Sequence, residues 1–340
     1  MKALVLKHYE LRKPAKDDFP MDPAAALAPF EIEDRPEPVA AAGRTVVRIK
    51  SAAINPMDVR VQAGLFPYSK PAPLVLGNEA SGVVVSSDKY AVGQRVMVMG
   101  FPLGISEDGT HQEVISVPNA WAYPLPDKIS FDEGASFLIP YATAQLAVEA
   151  SRVKEGDWVL VTGAAGGIGT ALIQLLKAIG ARPIAIVSSL EKATRVAAEE
   201  SPAGVINTAQ ETMDAGVNRI IGSLSAAAAI DVVGGDKMGR LLPLLGRNGT
   251  LVCLGYLGGK TAPIIIPFLV GWCRSIVGSD LYERPAEESR PAFDTIGKFL
   301  ERGVLKPKVD SHFSLDEYGA AFNRTGSRHA NGRVLFHFEE

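Results

Sequence analysis

The sequence predicts an α/β protein in which an antiparallel, barrel-like β domain precedes a doubly wound parallel sheet. Three observations carry this prediction. An apolar run at residues 158–162 passes through three glycines into an amphipathic helix. Strand and helix patterns then alternate to residue 278. Residues 45–99 instead show short alternating strands separated by Gly, Pro and Asp, which is typical of an antiparallel β domain.

The glycine turn is the most informative motif. Gly163 permits a tight exit from the strand, Gly166 permits a phosphate to approach the backbone, and Gly169 permits close packing of helix on strand. The helix is expected to start at Gly169, with its dipole directed at a pyrophosphate. The spacing is one residue longer than the commonest dinucleotide fingerprint, and an ordinary strand-to-helix turn is the alternative.

The second half of the chain predicts a parallel sheet because its strands lack alternating polarity and helices separate them. The predicted strands are residues 159–161, 183–187, 204–207, 229–233, 249–254 and 275–278, and the predicted helices are 170–179, 190–200 and 237–245.

The first part predicts strands at residues 45–50, 82–85 and 94–99. A helix at 293–302 and a strand at 332–337 are too short to stand alone and are expected to return to the first domain. The predicted domains are residues 1–126, 127–284 and, as the return, 285–340. Residues 9–30 are rich in Pro, Ala and Asp and predict a surface insertion.

Composition excludes several classes of protein. The 340 residues are 47% hydrophobic and 21% charged with a net charge of −3, so no basic surface for nucleic acid is expected. No apolar run is long enough to span a membrane, and the first residues lack the apolar core of a signal peptide. Only Cys253 and Cys273 are present, which favours a reducing, cytoplasmic location.

Four motifs carry a family resemblance: Ala-Ile-Asn-Pro-Met-Asp at 53–58, Gly-Asn-Glu-Ala-Ser-Gly at 77–82, the glycine turn at 161–169, and Asp-Val-Val-Gly-Gly at 231–235. With the domain order, they resemble the medium-chain dehydrogenase/reductase superfamily, and within it the zinc-independent quinone oxidoreductase/enoyl reductase branch. The resemblance implies a GroES-like β-barrel domain and a Rossmann domain. It also implies a homodimer through edge strands, with residues 264–270 as a candidate interface.

A metal site is not expected. The five histidines are scattered and the two cysteines lack a neighbouring partner. In the zinc alcohol dehydrogenases of this superfamily, a Cys stands at the position of Asn55 and a His at that of Asn78. Neutral amides at both positions predict a metal-free site.

The residues after the second strand predict NADPH as the cofactor. Ser188 lies 19 residues after Gly169, near the place of the ribose-selecting carboxylate in NAD enzymes. Ser188, Ser189 and Lys192 instead offer hydroxyls and a positive charge to a 2′-phosphate, and similar proteins use a Ser and a Lys there. The alternatives are that Ser189 caps a helix, that Lys192 is a surface charge, and that Glu191 supports NAD.

The resemblance implies the remaining site residues. Asn55 and Tyr141 are the candidate catalytic residues. The alternatives are that Asn55 only starts a turn, that Tyr141 packs between the domains, and that Arg333 is a surface charge. The expected cofactor-binding residues are Asn55, Pro56, Thr143, Gly163, Ala165, Gly166, Gly167, Ile168, Gly169, Ser188, Ser189, Lys192, Val233, Leu254, Gly255, Tyr256 and Arg333.

The expected reaction is hydride transfer from NADPH to a quinone or to the β-carbon of an α,β-unsaturated carbonyl. Such acceptors delocalise charge onto an oxygen that Asn55, Tyr141 or a water can stabilise. Phe66 replaces the proton-donating Tyr of mitochondrial-type enoyl reductases, and Tyr68 is two positions away. The alternatives are a ketone or alcohol dehydrogenase, and a non-catalytic NADPH-binding protein resembling a lens crystallin.

Overall fold

The computed structural model describes residues 1–9, 29–64, 69–282, 284, 286–327 and 329–339. The chain forms two compact units. The first unit is Met1–Ile139 together with Pro307–Glu340, and the second unit is Pro140–Lys306. Residues 10–28 of the predicted insertion, and also Phe66 and Tyr68, lie outside the described residues.

The first unit is built mainly from antiparallel strands. Its elements before the second unit are β1 (Lys2–Leu6), β2 (Phe30–Asp34), β3 (Arg44–Ile54), α1 (Pro56–Gln62), β4 (Leu74–Val75), β5 (Glu79–Ser87), β6 (Arg95–Met99), β7 (Val114–Pro118), β8 (Ala122–Pro124) and α2 (Phe131–Ala135). After the second unit come β15 (Val309–Phe313), α9 (Tyr318–Gly326) and β16 (Arg333–His337). β1 pairs with β2 and β4, while the larger sheet runs β15-β16-β3-β5-β6-β8, with β7 also paired to β3.

The C-terminal segment completes the larger sheet of the first unit. β16 inserts between β3, to which it is antiparallel, and β15, to which it is parallel. Its apolar residues, including Phe336, join a core that also contains Leu4 and Val47. The two C-terminal strands therefore belong to the first unit, whereas the helix predicted at residues 293–302 lies in the second unit, which extends to Lys306.

The second unit contains a parallel sheet of six strands with helices between them. α3 (Leu138–Ser151) leads into this unit. Its other elements are β9 (Trp158–Thr162), α4 (Gly167–Ala178), β10 (Arg182–Val187), α5 (Leu190–Glu200), β11 (Gly204–Asn207), α6 (Met213–Ile221), β12 (Ala226–Asp231), β13 (Leu245–Cys253), α7 (Ile266–Val270), β14 (Ser275–Gly278) and α8 (Ala286–Glu301). The strand order is β11-β10-β9-β12-β13-β14. It reverses between β9 and β12, and ligands of doubly wound sheets bind at such a reversal.

The helix predicted at residues 237–245 is wrong. Two 3-10 turns, Met238–Arg240 and Leu242–Leu244, occupy this segment before β13 begins. Pro243 has no backbone N–H, so it cannot continue an α-helical ladder. At Gly239 a Cβ would overlap the carbonyl oxygen of Pro263, so the chain packs closely here instead.

Helix α6 was missed although its signals are present. The hydroxyl of Thr212 accepts a hydrogen bond of 3.2 Å from the Ala215 backbone N–H and caps the helix. Gly222, with φ of +63°, ends it. α4 also begins at Gly167, two residues before the predicted start, because Gly166 is its N-cap.

No described helix combines the length and the apolar character needed to cross a membrane.

Candidate active site

The turn between β9 and α4 gives its three glycines distinct roles. Gly163 has φ of +57°, and a Cβ there would lie 2.5 Å from a methyl of Val232. A Cβ on Gly169 would overlap the Gly163 carbonyl oxygen, so helix and strand approach too closely for any side chain. At Gly166, which is exposed, a Cβ would meet only the Gly163 oxygen, at 3.5 Å. The turn therefore leaves open space above Gly166.

The N-terminal end of α4 faces this space with unsatisfied donors. The first backbone N–H groups of a helix have no intrahelical acceptor, and here they include those of Gly167, Ile168 and Gly169. They lie at the positive end of the helix dipole. Gly166 is exposed, its neighbours Ala165, Gly167 and Ile168 are half-buried, and Gly169 is buried. A ligand can therefore reach the outer part of the turn, while its inner part is packed against the protein. This geometry fits an anionic pyrophosphate.

A buried carboxylate holds the next turn of the site. Asp231 ends β12, and its oxygens accept hydrogen bonds from the Thr162 hydroxyl, from Val233 N at 3.2 Å and from Gly234 N at 2.9 Å. These bonds end the strand at Asp231, two residues before the predicted end. They place Val233 in a turn, and the Val233 side chain lies over Gly163. The predicted residues Gly163 and Val233 are thus brought together.

The segment after β13 packs on that turn. Leu254 N donates to Asp231 O at 2.9 Å, and a Cβ on Gly255 would overlap the Val232 oxygen. Tyr256 is 44% exposed. These residues line part of a cavity of about 600 Å³ that extends to Met238, Cys253, Thr261 and Ser279. Burial raises the pKa of the Cys253 thiol to about 11, so this thiol stays protonated near neutral pH.

The adenosine-side candidates lie at the end of β10 and the start of α5. Ser188 is exposed and Lys192 is half-buried. The Ser189 hydroxyl accepts from Lys192 N at 3.3 Å, so Ser189 is the N-cap of α5, which is the alternative role noted from the sequence. The Lys192 ammonium forms no ion pair with the described part of the chain. A hydroxyl and a cation are thus available where an NAD enzyme would place a carboxylate.

In the first unit, strand register brings distant residues together. β3 pairs with β5 through Ala52 and Ala80, and with β16 through Ile54 and Val334. Four residues therefore meet at one end of the sheet. They are Asn55, which follows β3, Asn78 and Glu79, which immediately precede and begin β5, and Arg333, at the start of β16.

Asn55 is held from both sides of its carboxamide. Its Nδ2 donates to Asn78 Oδ1 at 2.7 Å, and its Oδ1 accepts from Arg333 Nη2. The same Nη2 donates to Glu79 Oε2 at 2.9 Å. Arg333 is therefore a buried bridge in the first unit and not a surface charge, and its Nε has no partner among the described residues.

Glu79 was not singled out from the sequence, although it stands inside the quoted 77–82 motif. It is fully buried, and its Oε1 accepts from Ile139 N at 2.9 Å. Burial raises the pKa of this carboxyl to about 7, against the opposing attraction of Arg333. Only its partner 254 residues away explains a buried charge at this position.

Asp58 organises the loop that carries Asn55. Its carboxylate accepts from Asn55 N at 2.6 Å and from Gly77 N at 3.0 Å. Pro56 is the first residue of α1, where a missing N–H costs nothing. Burial raises the pKa of Asp58 and lowers that of His111, whose Nε2 is 3.1 Å from Ala53 O. The Asp58 carboxylate thus fixes the loop by bonding to the backbone of Asn55 and of Gly77.

The hydroxyl of Tyr141 bonds to a side chain of the second unit. Tyr141 is 2% exposed, and its hydroxyl lies 2.9 Å from Gln174 Oε1 on α4, to which it donates. Gln174 in turn donates to Glu200 Oε2 at 3.0 Å. Burial raises the pKa of Tyr141 further above its ordinary value. These contacts favour a packing role within the second unit, whereas Thr143, two residues later, is half-buried.

Two family descriptions match this chain. "Alcohol dehydrogenase GroES-like domain" covers residues 41–127, and "Zinc-binding dehydrogenase" covers residues 167–298. Quinone oxidoreductase-like protein 2 of Bos taurus is 29% identical over 299 residues, which are 85% of this chain and 83% of that protein. A zinc-type alcohol dehydrogenase-like protein of Schizosaccharomyces pombe is 34% identical over 185 residues, 54% of this chain and only 56% of that protein.

A solved structure agrees over the full length. The quinone oxidoreductase of Thermus thermophilus, which was also solved in complex with NADPH, has a TM-score of 0.82 and 26% identity, covering 99% of this chain and 100% of that one. This chain belongs to the medium-chain dehydrogenase/reductase superfamily. The predicted fold class, a GroES-like domain with a Rossmann domain, is confirmed.

Some members of the superfamily bind zinc, so the fit of these residues to zinc matters. The family resemblance places Asn55 and Asn78 where zinc alcohol dehydrogenases have a Cys and a His ligand, and here Asn55 Nδ2 donates to Asn78 Oδ1. Amides lack the thiolate and imidazole donors of catalytic zinc sites. In the described part of the chain, no three His, Cys, Asp or Glu residues form a group that could hold a metal ion. The Asn55–Asn78 pair does not fit catalytic zinc.

Proposed function

We propose that this member of the superfamily is an NADPH-dependent oxidoreductase that acts without zinc on a quinone or on the C=C bond of an α,β-unsaturated carbonyl. The observation that carries the proposal is the carboxamide of Asn55, oriented by Arg333 and Asn78 at a zinc-ligand position of the superfamily. The names of the bovine and Thermus thermophilus relatives, and the NADPH complex of the latter, support it.

The second unit supplies the nucleotide site in this proposal. The backbone N–H groups of Gly167, Ile168 and Gly169 hold the pyrophosphate over the open face of Gly166. Ser188 and Lys192 take the 2′-phosphate, and the turns carrying Val233 and Leu254 border the nicotinamide end. Gly255 and Tyr256 complete that border. Asp231 stabilises these turns without touching the ligand.

The chemistry of the first unit depends on one N–H bond. Arg333 takes the Oδ1 of Asn55, so the carboxamide cannot flip, and one Nδ2–H is used by Asn78. The second Nδ2–H has no partner among the described residues, and it is the donor for a substrate oxygen. Bound NADPH supplies a hydride. A fixed donor that costs no reorganisation then stabilises the charge that develops on the oxygen.

Oxidation of NADPH by a panel of acceptors tests this function. We expect turnover with quinones and with enals or enones, none with a simple ketone, a preference for NADPH over NADH, and no stoichiometric zinc by elemental analysis. A simple ketone lacks the conjugation that spreads the incoming charge, so it would need a metal or a proton donor to polarise its carbonyl. Zinc-dependent ketone reduction would overturn the proposal. NADPH binding with no turnover of any acceptor would instead indicate a binding protein.

Replacing Asn55 with Ala should lower kcat/KM for the acceptor by about 10²–10³-fold, the usual loss for one preorganised donor. The Kd for NADPH should rise by no more than about tenfold, since a neutral hydrogen bond contributes about 0.5–1.5 kcal/mol. Steady-state kinetics and nucleotide fluorescence measure the two effects. Asn323→Ala, on the exposed face of α9, is the matched control. Unchanged turnover in the Asn55 variant would remove this residue from the mechanism.

We also infer a homodimer through the edge of the second-unit sheet. β14 pairs only with β13 among the described strands, and Ile265, Ile266, Val270 and Trp272, which precede it, are each more than half exposed. Exposed apolar patches and open strand edges mark association surfaces.

The free thiols of Cys253 and Cys273 support the proposed cytoplasmic location.

Ile266→Glu should convert this dimer to a monomer in light scattering, because two carboxylates would be buried at a two-fold interface. Val92→Glu is the control, since Val92 is 75% exposed in the first unit. A monomeric wild-type protein, or an Ile266→Glu variant that is still dimeric, would exclude this interface.

A further inference from the structure

The side chain of Arg195, on α5, reaches the glycine turn. Arg195 Nη2 donates to the Ala165 carbonyl oxygen at 3.3 Å, and the Arg195 side chain is only 17% exposed. Ala165 directly precedes Gly166 in the turn. The guanidinium therefore lies beside the glycine turn and is anchored there by one hydrogen bond to a backbone acceptor.

Arg195 and Lys192 form one positive surface. Residues three apart on a helix share a face, so both side chains lie on the same side of α5. Ser188 directly follows the adjacent strand β10, before this helix starts. Glu191, four residues earlier on α5, forms an ion pair with Arg195. Its carboxylate is 4.0 Å away and 79% exposed, so it screens the guanidinium weakly.

We propose that Arg195 is a specificity residue that binds the 2′-phosphate of NADPH together with Lys192. This inference rests on the proposed function. The ribose selector of these folds follows the second strand, about 20 residues after the glycines, and Arg195 bridges from there to the turn. One N–H of the guanidinium is used by Ala165. The remaining donors form the planar fork that suits a phosphate.

The contact with Ala165 explains why Arg195, in addition to Lys192, sets the preference for NADPH over NADH. A lysine is a flexible point charge, whereas a guanidinium fixed at one corner offers its other donors without further ordering. NADH brings no phosphate to this corner, so it gains little from Arg195. The residue therefore acts on the ratio of the two affinities.

The test is direct binding of NADPH and NADH, followed by nicotinamide fluorescence, with 2′,5′-ADP and 5′-AMP as competitors. Arg195→Ala should raise the Kd for NADPH and for 2′,5′-ADP by about 10–100-fold, the range for a charge-assisted hydrogen bond. The Kd for NADH and for 5′-AMP should change less than about threefold, within the roughly 0.5 kcal/mol usual for surface substitutions. Arg195→Lys should fall between the alanine variant and the wild type.

Arg182→Ala is the matched control. It removes one positive charge at the opposite end of the second strand, where Arg182 packs over the Trp158 ring, 5.3 Å from its centroid. An equal loss for both nucleotides in Arg195→Ala would mean that Arg195 only supports the turn, and would overturn the inference. The inference would also be overturned if the ratio of the Kd for NADPH to the Kd for NADH were the same in Arg195→Ala and in the wild type. A wild-type protein with no preference for NADPH would instead overturn the proposed cofactor itself.

Discussion

Substitution of Gly166 by Val is expected to abolish nucleotide binding, with a Kd for NADPH more than about 100-fold higher, while leaving the fold intact. Gly166 has φ of −92° and ψ of 172°, an extended conformation that valine adopts readily. Its Cβ would meet only one protein atom, at 3.5 Å. The added methyl groups would occupy the space of the pyrophosphate and cover the N–H groups of α4.

Gly169→Val provides the contrast that makes this result interpretable. Its Cβ would overlap the Gly163 oxygen beneath the helix, so overpacking should lower the midpoint of thermal unfolding markedly. Gly166→Val should unfold within a few degrees of wild type. Fluorescence titration with NADPH and thermal unfolding measure the two properties. Wild-type affinity in Gly166→Val would show that the nucleotide binds elsewhere.

Substitution of Arg333 by Met should destabilise the first unit by about 3–5 kcal/mol, the usual cost of removing one partner of a buried ion pair. Glu79 is fully buried and would keep its Ile139 contact but lose its cation. For a unit of this size the loss corresponds to a fall of roughly 6–20 °C in the unfolding midpoint.

The same substitution should depend on pH in a defined direction. The pKa of Glu79 is already raised to about 7 with Arg333 present, and loss of the cation raises it further. A carboxyl with a raised pKa in the folded state loses stability as pH rises from its unfolded pKa through its folded one. The variant should therefore be more destabilised at pH 8 than at pH 6.

The double variant Glu79→Gln/Arg333→Met is the control for this prediction. It removes both charges, so it should recover most of the stability lost in Arg333→Met and lose the pH dependence between pH 6 and 8. Thermal unfolding of the three proteins at both pH values measures this. A double variant as unstable as Arg333→Met, or a single variant insensitive to pH, would show that the ion pair is not the cause.

The glycine turn proposed to bind the nucleotide could be predicted from the sequence because its signals are local. The strand, the glycines and the following helix stand within residues 158–178, and each glycine is required by a contact inside the same turn. The parallel sheet followed from six apolar runs separated by helices. The failures in this unit were also local, since Pro243 broke a predicted helix and Asp231 ended a strand early.

The site of the first unit could be predicted only in part. The Asn-Pro motif identified Asn55, but the partner of Glu79 is set by pairing between β3, β5 and β16. No pattern along the chain contains that register, because residues 79 and 333 are 254 positions apart. Arg195 was missed for a similar reason. On α5 it resembles a surface charge, and only the folded turn shows what it contacts.

The first unit is assembled from two separate stretches of the chain, whereas the second is one continuous segment. During synthesis the nucleotide-binding sheet is complete in sequence before β15 and β16 have been translated, and domains generally fold as units in that order. At that point the first unit is incomplete, because β3 lacks its neighbour β16 and Glu79 lacks its counter-ion Arg333. Translation of β16 therefore installs both a hydrogen-bonded neighbour for β3 and the positive charge beside Asn55, so a nascent chain acquires its dinucleotide fold before its carboxamide is oriented.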